Sequence, residues 1–584
     1  MEQSKNRLLT DFMSQNHKNN HKEVIMKKIV SMLMLLVMVT MLFAGCNGSD
    51  DSSSSSKDNA ESNESTSGGD ESTNGNSEEM VDGKFVETRK ITVEVFDRGN
   101  DGGSTPEDNF YAEFIKEGML RDHNIEVEFI PVPRWTEVEQ INNLLAAGDA
   151  PDICVTYDYP TIQTYANMGG VTDMAPHIEA NKELLPDLFD LLTEQNIYYN
   201  QDPNEGTIWA IEARLVNLAR INTFIRKDWL ETLNIKEPTT EEEFEAALIA
   251  FRDNANLLLG GEADRMIPFS ISFDVGWRAD HLLQSKIPSS TTEKEHYTLG
   301  FDDRHLLMPG IKDGIELLNS WYNDGLIWKD FPLYGSGDTT EDNLMKAGYV
   351  GAFMHNWDYP YRNGDDSINN SLKRLAGDEA GYVAISPFKN DSGIYAKYRT
   401  APVDRKVFFP ITNDEPVASL LYLNWISQLE NRMFLQIGEE GVTHEVVENG
   451  AIRTIATTGD KIMNSPSNID YTITINGLDL GDKALTIQSM ALGYVGVDSS
   501  VIQQAYEKST DGNVFLENHN FGEITAETGM GPALSEKRDT LLTQSIVASP
   551  DKFDQVFDNG MKDYLNSGGQ AIIDERTKAW DTTY

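Results

Sequence analysis

Four short stretches of the chain set aromatic rings beside charged side chains: Tyr157, Asp158 and Tyr159; Trp209, Glu212 and Arg214; Asp274, Trp277 and Arg278; and Trp357, Asp358 and Tyr359. Such a mixture suits a ligand with flat apolar faces and many hydroxyls, because rings stack on the faces while carboxylates and guanidinium groups fix the orientation. Arg399 and Arg405 could pair with a carboxylate or sulfate on such a ring, since Arg forms bidentate bonds to planar oxyanions, although a surface position is the simpler reading of both. Tyr157, Asp158 and Tyr159 read equally well as ordinary loop residues. Catalytic patterns are weak. His444 to Glu448 reads HEVVE and lacks the second histidine of a zinc hydrolase. No GxSxG elbow, Walker loop or Rossmann glycine fingerprint occurs, so neither a cofactor nor a metal is expected. Carboxylate pairs are abundant, but in so acidic a chain they arise by chance and do not mark a glycosidase.

The elements that must carry these residues are legible in places. ITVEVF, following Lys90, alternates apolar and polar positions like a strand with one face buried, and IEVEFIPV (Ile125 to Val132) reads as a second strand. Between them, Asp108 to Gly118 has helical spacing, which gives the strand, helix, strand order of a parallel crossover. A helix over Trp135 to Ala147, a stop with positive φ at Gly148 and a buried strand over Asp152 to Thr156 follow. This strand places Tyr157 to Tyr159 at its carboxyl end, where open α/β sheets bind ligands. Trp209 to Ile211 and Val216 to Ile221 are expected as strands, and Thr239 and Thr240 with Glu242 and Glu243 as the capping box of a helix over Thr240 to Asp253. Gly348 to Met354 and Gly381 to Ile385 are apolar runs, and Pro416 to Leu429 is strongly helical. Trp229 is expected in the core.

At 584 residues the chain exceeds one typical core, which points to at least two lobes. Its formal charge of -46, from 94 acidic and 48 basic residues, argues against a nucleic-acid partner, because phosphate binding depends on Lys and Arg. From Met26, two lysines and the apolar stretch Ile29 to Phe43 form a secretory signal rather than a spanning helix. The small pair Ala44 and Gly45 before Cys46 resembles a bacterial lipobox, which implies lipid attachment at Cys46 and removal of residues 1–45. Membrane contact is then through the anchor alone. Cys154 is the only other cysteine, so no intramolecular disulfide remains. Residues 46–88, acidic and rich in serine, read as a disordered tether.

Several segments together resemble the extracellular solute-binding proteins of carbohydrate ABC importers, particularly the long lipoproteins related to alginate-binding receptors. They are WTEVEQINNLLAAGDAPDI (Trp135 to Ile153), IRKDWLETLNIKEPTTEEEFEAALIAFRD (Ile225 to Asp253), MKAGYVGAFMHNWDYP (Met345 to Pro360) and GEEGVTHEVVENG (Gly438 to Gly450). The resemblance implies an α/β, two-lobe periplasmic-binding-protein-like fold with hinge strands and a ligand cleft between the lobes. The lobes map to 89–216 plus 386–432 and 217–385 plus 433–584. It further implies a monomer that binds a carbohydrate without altering it and passes it to permease subunits. The resemblance also implies Trp357 as a stacking aromatic, whose replacement by alanine should weaken binding and leave the fold intact. The calcium loop of the alginate-binding relatives is broken here by Leu257 to Leu259. A lipid-anchored polysaccharide-degrading enzyme, or a receptor of this architecture for peptides or another solute, are the alternatives.

Overall fold

The computed structural model describes residues 80–99, 105–272, 274–302, 304–335, 338–522, 524–527 and 531–584. The secretory segment, Cys46 and most of the tether lie outside the described residues. Within them, no helix is long and apolar enough to cross a membrane.

Strands β1 (Arg89–Asp97) and β2 (Ile125–Pro133) pair in parallel. They are joined by helix α1 (Phe110–His123), whose first amides are capped by Asn109 and whose end turns through Asn124 at φ 57°. Helix α2 (Glu137–Ala147) stops at Gly148, φ 74°, as its sequence requires, and strand β3 (Cys154–Thr156) follows. β2 alternates buried and exposed positions, whereas Val93, Glu94, Val95 and Phe96 of β1 are all buried. The strand expected to bury one face is thus buried on both over Val93 to Phe96, and laterally it pairs with β2 and, through the Val93–Ile153 bridge, with the segment leading into β3. Glu94 tolerates that burial by accepting the Val155 amide at 2.7 Å.

Farther along run β4 (Ile211–Leu215), β5 (Ile221–Arg226), β6 (Ile267–Ser270), β7 (Val350–Asn356), β8 (Tyr382–Ile385), β9 (Lys397–Arg399), β10 (Val403–Phe408), β11 (Ile475–Asn476) and β12 (Asn513–Phe515). One sheet has the order β11-β4-β10-β3 and the other β8-β5-β7-β6, while β9 and β12 form a separate parallel pair. The strands expected at 209–211 and 216–221 are displaced to β4 and β5. Glu212 and Arg214, expected just before a hinge strand as candidate ligand contacts, lie on β4 itself.

Each sheet organises its own core. One core draws on 85–211, 407–435 and 471–475, including Tyr111, Ile153, Trp425 and Tyr471. The other draws on 219–398 and 491–572, including Trp229, Phe244, Phe269, Trp321 and Phe353. Trp229 is buried there, edge-on to Phe251, in keeping with its sequence. The chain passes between these cores at 216–220, 399–403 and 477–490.

Candidate functional site

In the first lobe, Tyr157 follows β3 directly. Its ring stacks near Phe96, with centroids 6.2 Å apart, and the Arg134 guanidinium lies 4.3 Å from its centroid. Beside it stands Trp135, 77% exposed, with the guanidinium groups of Arg134 and Arg98 at 5.5 and 6.0 Å from its ring. Arg98 is oriented by a two-pronged bond to buried Asp470, at 2.6 and 2.9 Å. The result is an open indole and a phenol braced by cations. Trp135 went unselected from sequence because it sits at the start of an amphipathic helical pattern; only its exposure marks it.

The neighbouring residues have local duties. Asp158 caps the helix Tyr159–Asn167, accepting the Thr161 amide and hydroxyl at 3.1 and 2.6 Å. Tyr159 and Trp209 line a cavity of about 490 Å³ that is also lined by Asn518, His519, Asn520 and Arg576. A second cavity of about 500 Å³ shares Tyr199, Tyr297, Asn518, His519 and Arg576 with the first and extends to Tyr398, Thr400 and Ala401. Glu212 is 1% exposed, accepts from Asn200 Nδ2 at 2.7 Å and lies 3.5 Å from Lys406 Nζ. Burial pushes its carboxyl up to about 7, against the opposing pull of Lys406 and Asn200. Arg214 turns elsewhere, to the Leu191 carbonyl and a cavity of about 560 Å³ lined by hinge residues 214–218 and Asp479.

In the second lobe, the turn after β6 carries Asp274 at φ 35°, where its carboxylate accepts the Trp277 amide and holds Arg304 at 2.6 Å. Trp277 is half-buried, with the guanidinium groups of Arg220 and Arg304 at 4.7 and 5.2 Å from its ring. Arg278 is fully buried, forked onto Glu341 at 2.6 and 2.7 Å, while Ser270 and Ser272 also donate to that carboxylate. Burial raises the Glu341 carboxyl, but Arg278 and the serines outweigh it and hold it below the ordinary range. Trp357 is 4% exposed, its ring edge-on to Tyr494 and Tyr506. Asp358 accepts from Arg362 and Tyr494, and Tyr359 stacks on His355 while donating to Asp342 at 2.8 Å.

Of the sequence-selected residues, the structure therefore brings Tyr159 and Trp209 to one cavity, and leaves Tyr157 and Trp277 partly open on the two lobes. It buries Glu212, Arg278, Trp357 and Asp358 among polar or aromatic partners. Arg405, read as a surface residue, is fully buried 3.9 Å from Asp470 and donates to the Ile475 carbonyl. A buried guanidinium needs such acceptors, and none of them is near it in sequence. HEVVE forms a strand, His444–Val446, paired with Ile452–Thr454 rather than a metal-binding helix. Among the described residues, Glu293, Glu517 and His519 bring ligand atoms within 4.8 Å of one another; both carboxylates are exposed.

Two α/β halves with separate cores, crossed three times by the chain and lined by aromatic rings and guanidinium groups, define the two-lobe architecture of binding proteins that hold a ligand between lobes. Residues 111–432, more than half of the chain, match the bacterial extracellular solute-binding proteins, and the protein belongs to that family. It is similar to the polygalacturonan/rhamnogalacturonan-binding protein YtcQ of Bacillus subtilis, 22% identical over 78% of this chain and 86% of the relative. The fold is also that of the alginate-binding protein AlgQ2 (TM-score 0.55, 14% identity, 85% of this chain and 98% of the other). An HMO-binding, ABC-transporter-associated solute-binding protein from Bifidobacterium longum infantis is similar as well (TM-score 0.55, 15% identity, 85% and 99%).

Proposed function

We propose that the protein captures an oligosaccharide between its two lobes and delivers it, unaltered, to the permease of an ABC importer. The observation that carries this reading is the same chemistry on both lobes: Tyr157 and exposed Trp135 on one core, and Trp277 with its arginines on the other. Aromatic faces flanked by guanidinium donors fit sugar rings, and the ligands named for the related proteins are polygalacturonan, rhamnogalacturonan and alginate. Domain closure then makes the full set of contacts available only in the shut form, so the ligand shifts the balance toward it. Core packing supports a lobe division at the three crossings, which assigns 388–398 to the second lobe and 435–475 to the first. Cys46, lipidated, would moor a monomer at the outer face of the cell membrane. The test is a calorimetric panel of oligosaccharides and peptides, run with an assay for reducing ends. Binding of a sugar with no new reducing ends is expected; product release, or binding of peptides alone, would overturn the reading. Cys46→Ala should abolish incorporation of labelled palmitate.

A further inference from the structure

Arg220 precedes β5 and Arg399 ends β9, so each stands beside a segment where the chain passes from one core to the other. Both are half-buried, and among the described residues neither side chain has a hydrogen-bond or ion-pair partner. The neighbouring polar groups are committed elsewhere. Asp274 holds Arg304, Asp280 accepts from Gln284 Nε2 at 2.9 Å, and Lys397 donates to the carbonyls of Lys508 and Ser509. His281 is buried behind them, its ring kept neutral first by burial and then by Lys397, Arg399 and Arg220. Burial lowers the Arg399 guanidinium to about 10, with repulsion from Arg220 adding to the effect and the Asp280 carboxylate opposing it, so Arg399 remains cationic at neutral pH.

Two unpaired, partly desolvated guanidinium groups that repel each other are costly in a folded protein unless an anion joins them. Here the surroundings prepare such a joining. The Arg220 guanidinium carbon lies over the Trp277 ring, 4.7 Å from its centroid, a contact that uses none of the N–H donors of Arg220 for a hydrogen bond. Ser509 ties the two segments together: its hydroxyl accepts the Arg220 amide at 2.9 Å, and its carbonyl lies 3.4 Å from Nζ of Lys397, which shares a face of β9 with Arg399. The chain as a whole carries -46, so an anionic ligand approaches against the overall field and needs a local cationic site to be held.

We infer that Arg220 and Arg399 form an oxyanion subsite that takes the carboxylate or sulfate of an acidic sugar, which makes the ligand an anionic oligosaccharide. This rests on the reading of the protein as an oligosaccharide receptor. An anion bridging the pair would also relieve repulsion between two of the three crossings, so ligand charge and lobe closure are coupled.

The experiment is calorimetry of the full folded chain with four probes: tetragalacturonate, its methyl ester, a sulfated galactan tetramer and a neutral galactan tetramer. At least one charged probe should bind on the order of 10- to 100-fold more tightly than its uncharged counterpart, with the tightness falling as salt rises. The two charged probes separate carboxylate from sulfate. Arg399→Gln should remove most of that preference and leave the uncharged probe within about twofold, and Arg220→Gln should weaken the charged probe far more than the uncharged one, with unchanged melting curves reporting intact folding. Equal binding of charged and uncharged partners, binding of the neutral tetramer alone, or equal losses on all probes would overturn the subsite while leaving the receptor reading in place. Binding of none of these, with no sugar bound in the wider panel, would overturn both.

Discussion

Glu212 keeps a carboxyl group where little water reaches, and the energetic consequence has a sign that can be worked out. Its folded value of about 7 lies above the ordinary 4.5, so the native state holds a proton that the unfolded chain has released. The associated stability is complete below about pH 4.5 and is lost as pH rises through about 7. Glu212→Gln should therefore stabilise the protein at pH 8 by about 1–3 kcal/mol and change little at pH 4.5, read from denaturant midpoints at the two pH values. Trp357 makes a contrasting case. Its burial against Tyr494 and Tyr506 means that Trp357→Ala should cost about 3–5 kcal/mol of stability, visible in the melting curve without ligand. Trp135, by contrast, has little packing to lose; Trp135→Ala should leave the melting temperature within about a degree or two and weaken oligosaccharide binding about tenfold in calorimetry.

Among the elements, the second sheet shows how closely backbone and side chains approach. Gly351 lies on β7, and a Cβ there would stand 2.6 Å from Phe251 Cδ2, 2.8 Å from the Pro268 carbonyl oxygen and 3.0 Å from Trp229 Cζ3. Gly351→Ala should cost about 1–3 kcal/mol, measured as a shift of the urea midpoint at constant slope. Elements with local signals were legible in the sequence. The caps at Thr240 and Gly148 depend on contacts a few residues away: Thr240 accepts the Glu243 amide at 3.2 Å, and Glu243 reaches back to Thr239 at 2.8 Å. β4 was displaced because the burial of Glu212 depends on Asn200 and Lys406, the latter nearly two hundred residues away. The same distance in sequence hid the site. Tyr157 could be placed from the strand before it, but nothing near Arg220 in the sequence announces that its guanidinium lies over Trp277. Arg278 looked like a ligand contact for the same reason, since Glu341 lies far along the chain.

At the scale of the whole molecule, the two lobes touch away from the crossings through a few polar contacts. Asn518 Nδ2 donates to the Tyr199 carbonyl at 3.1 Å, and Asn520 Nδ2 to that of Gln201 at 2.9 Å. At about 1 kcal/mol each, these bonds favour the shut arrangement. The double variant Asn518→Ala/Asn520→Ala should bind oligosaccharide about 10- to 30-fold more weakly and show a larger radius of gyration by X-ray scattering, with the wild-type radius restored at saturating ligand. An unchanged radius in the variant would mean these contacts do not bias closure.

The threefold passage between halves has a consequence for how the chain reaches its native form. The first core needs residues near 85 and near 475 together, and the second needs those near 219 together with those near 572. As the polypeptide emerges in order, neither half can finish until most of the other has been synthesised, so long-range pairing is postponed and the early product stays pliable. A polypeptide that commits late is one that can still be threaded through a narrow opening.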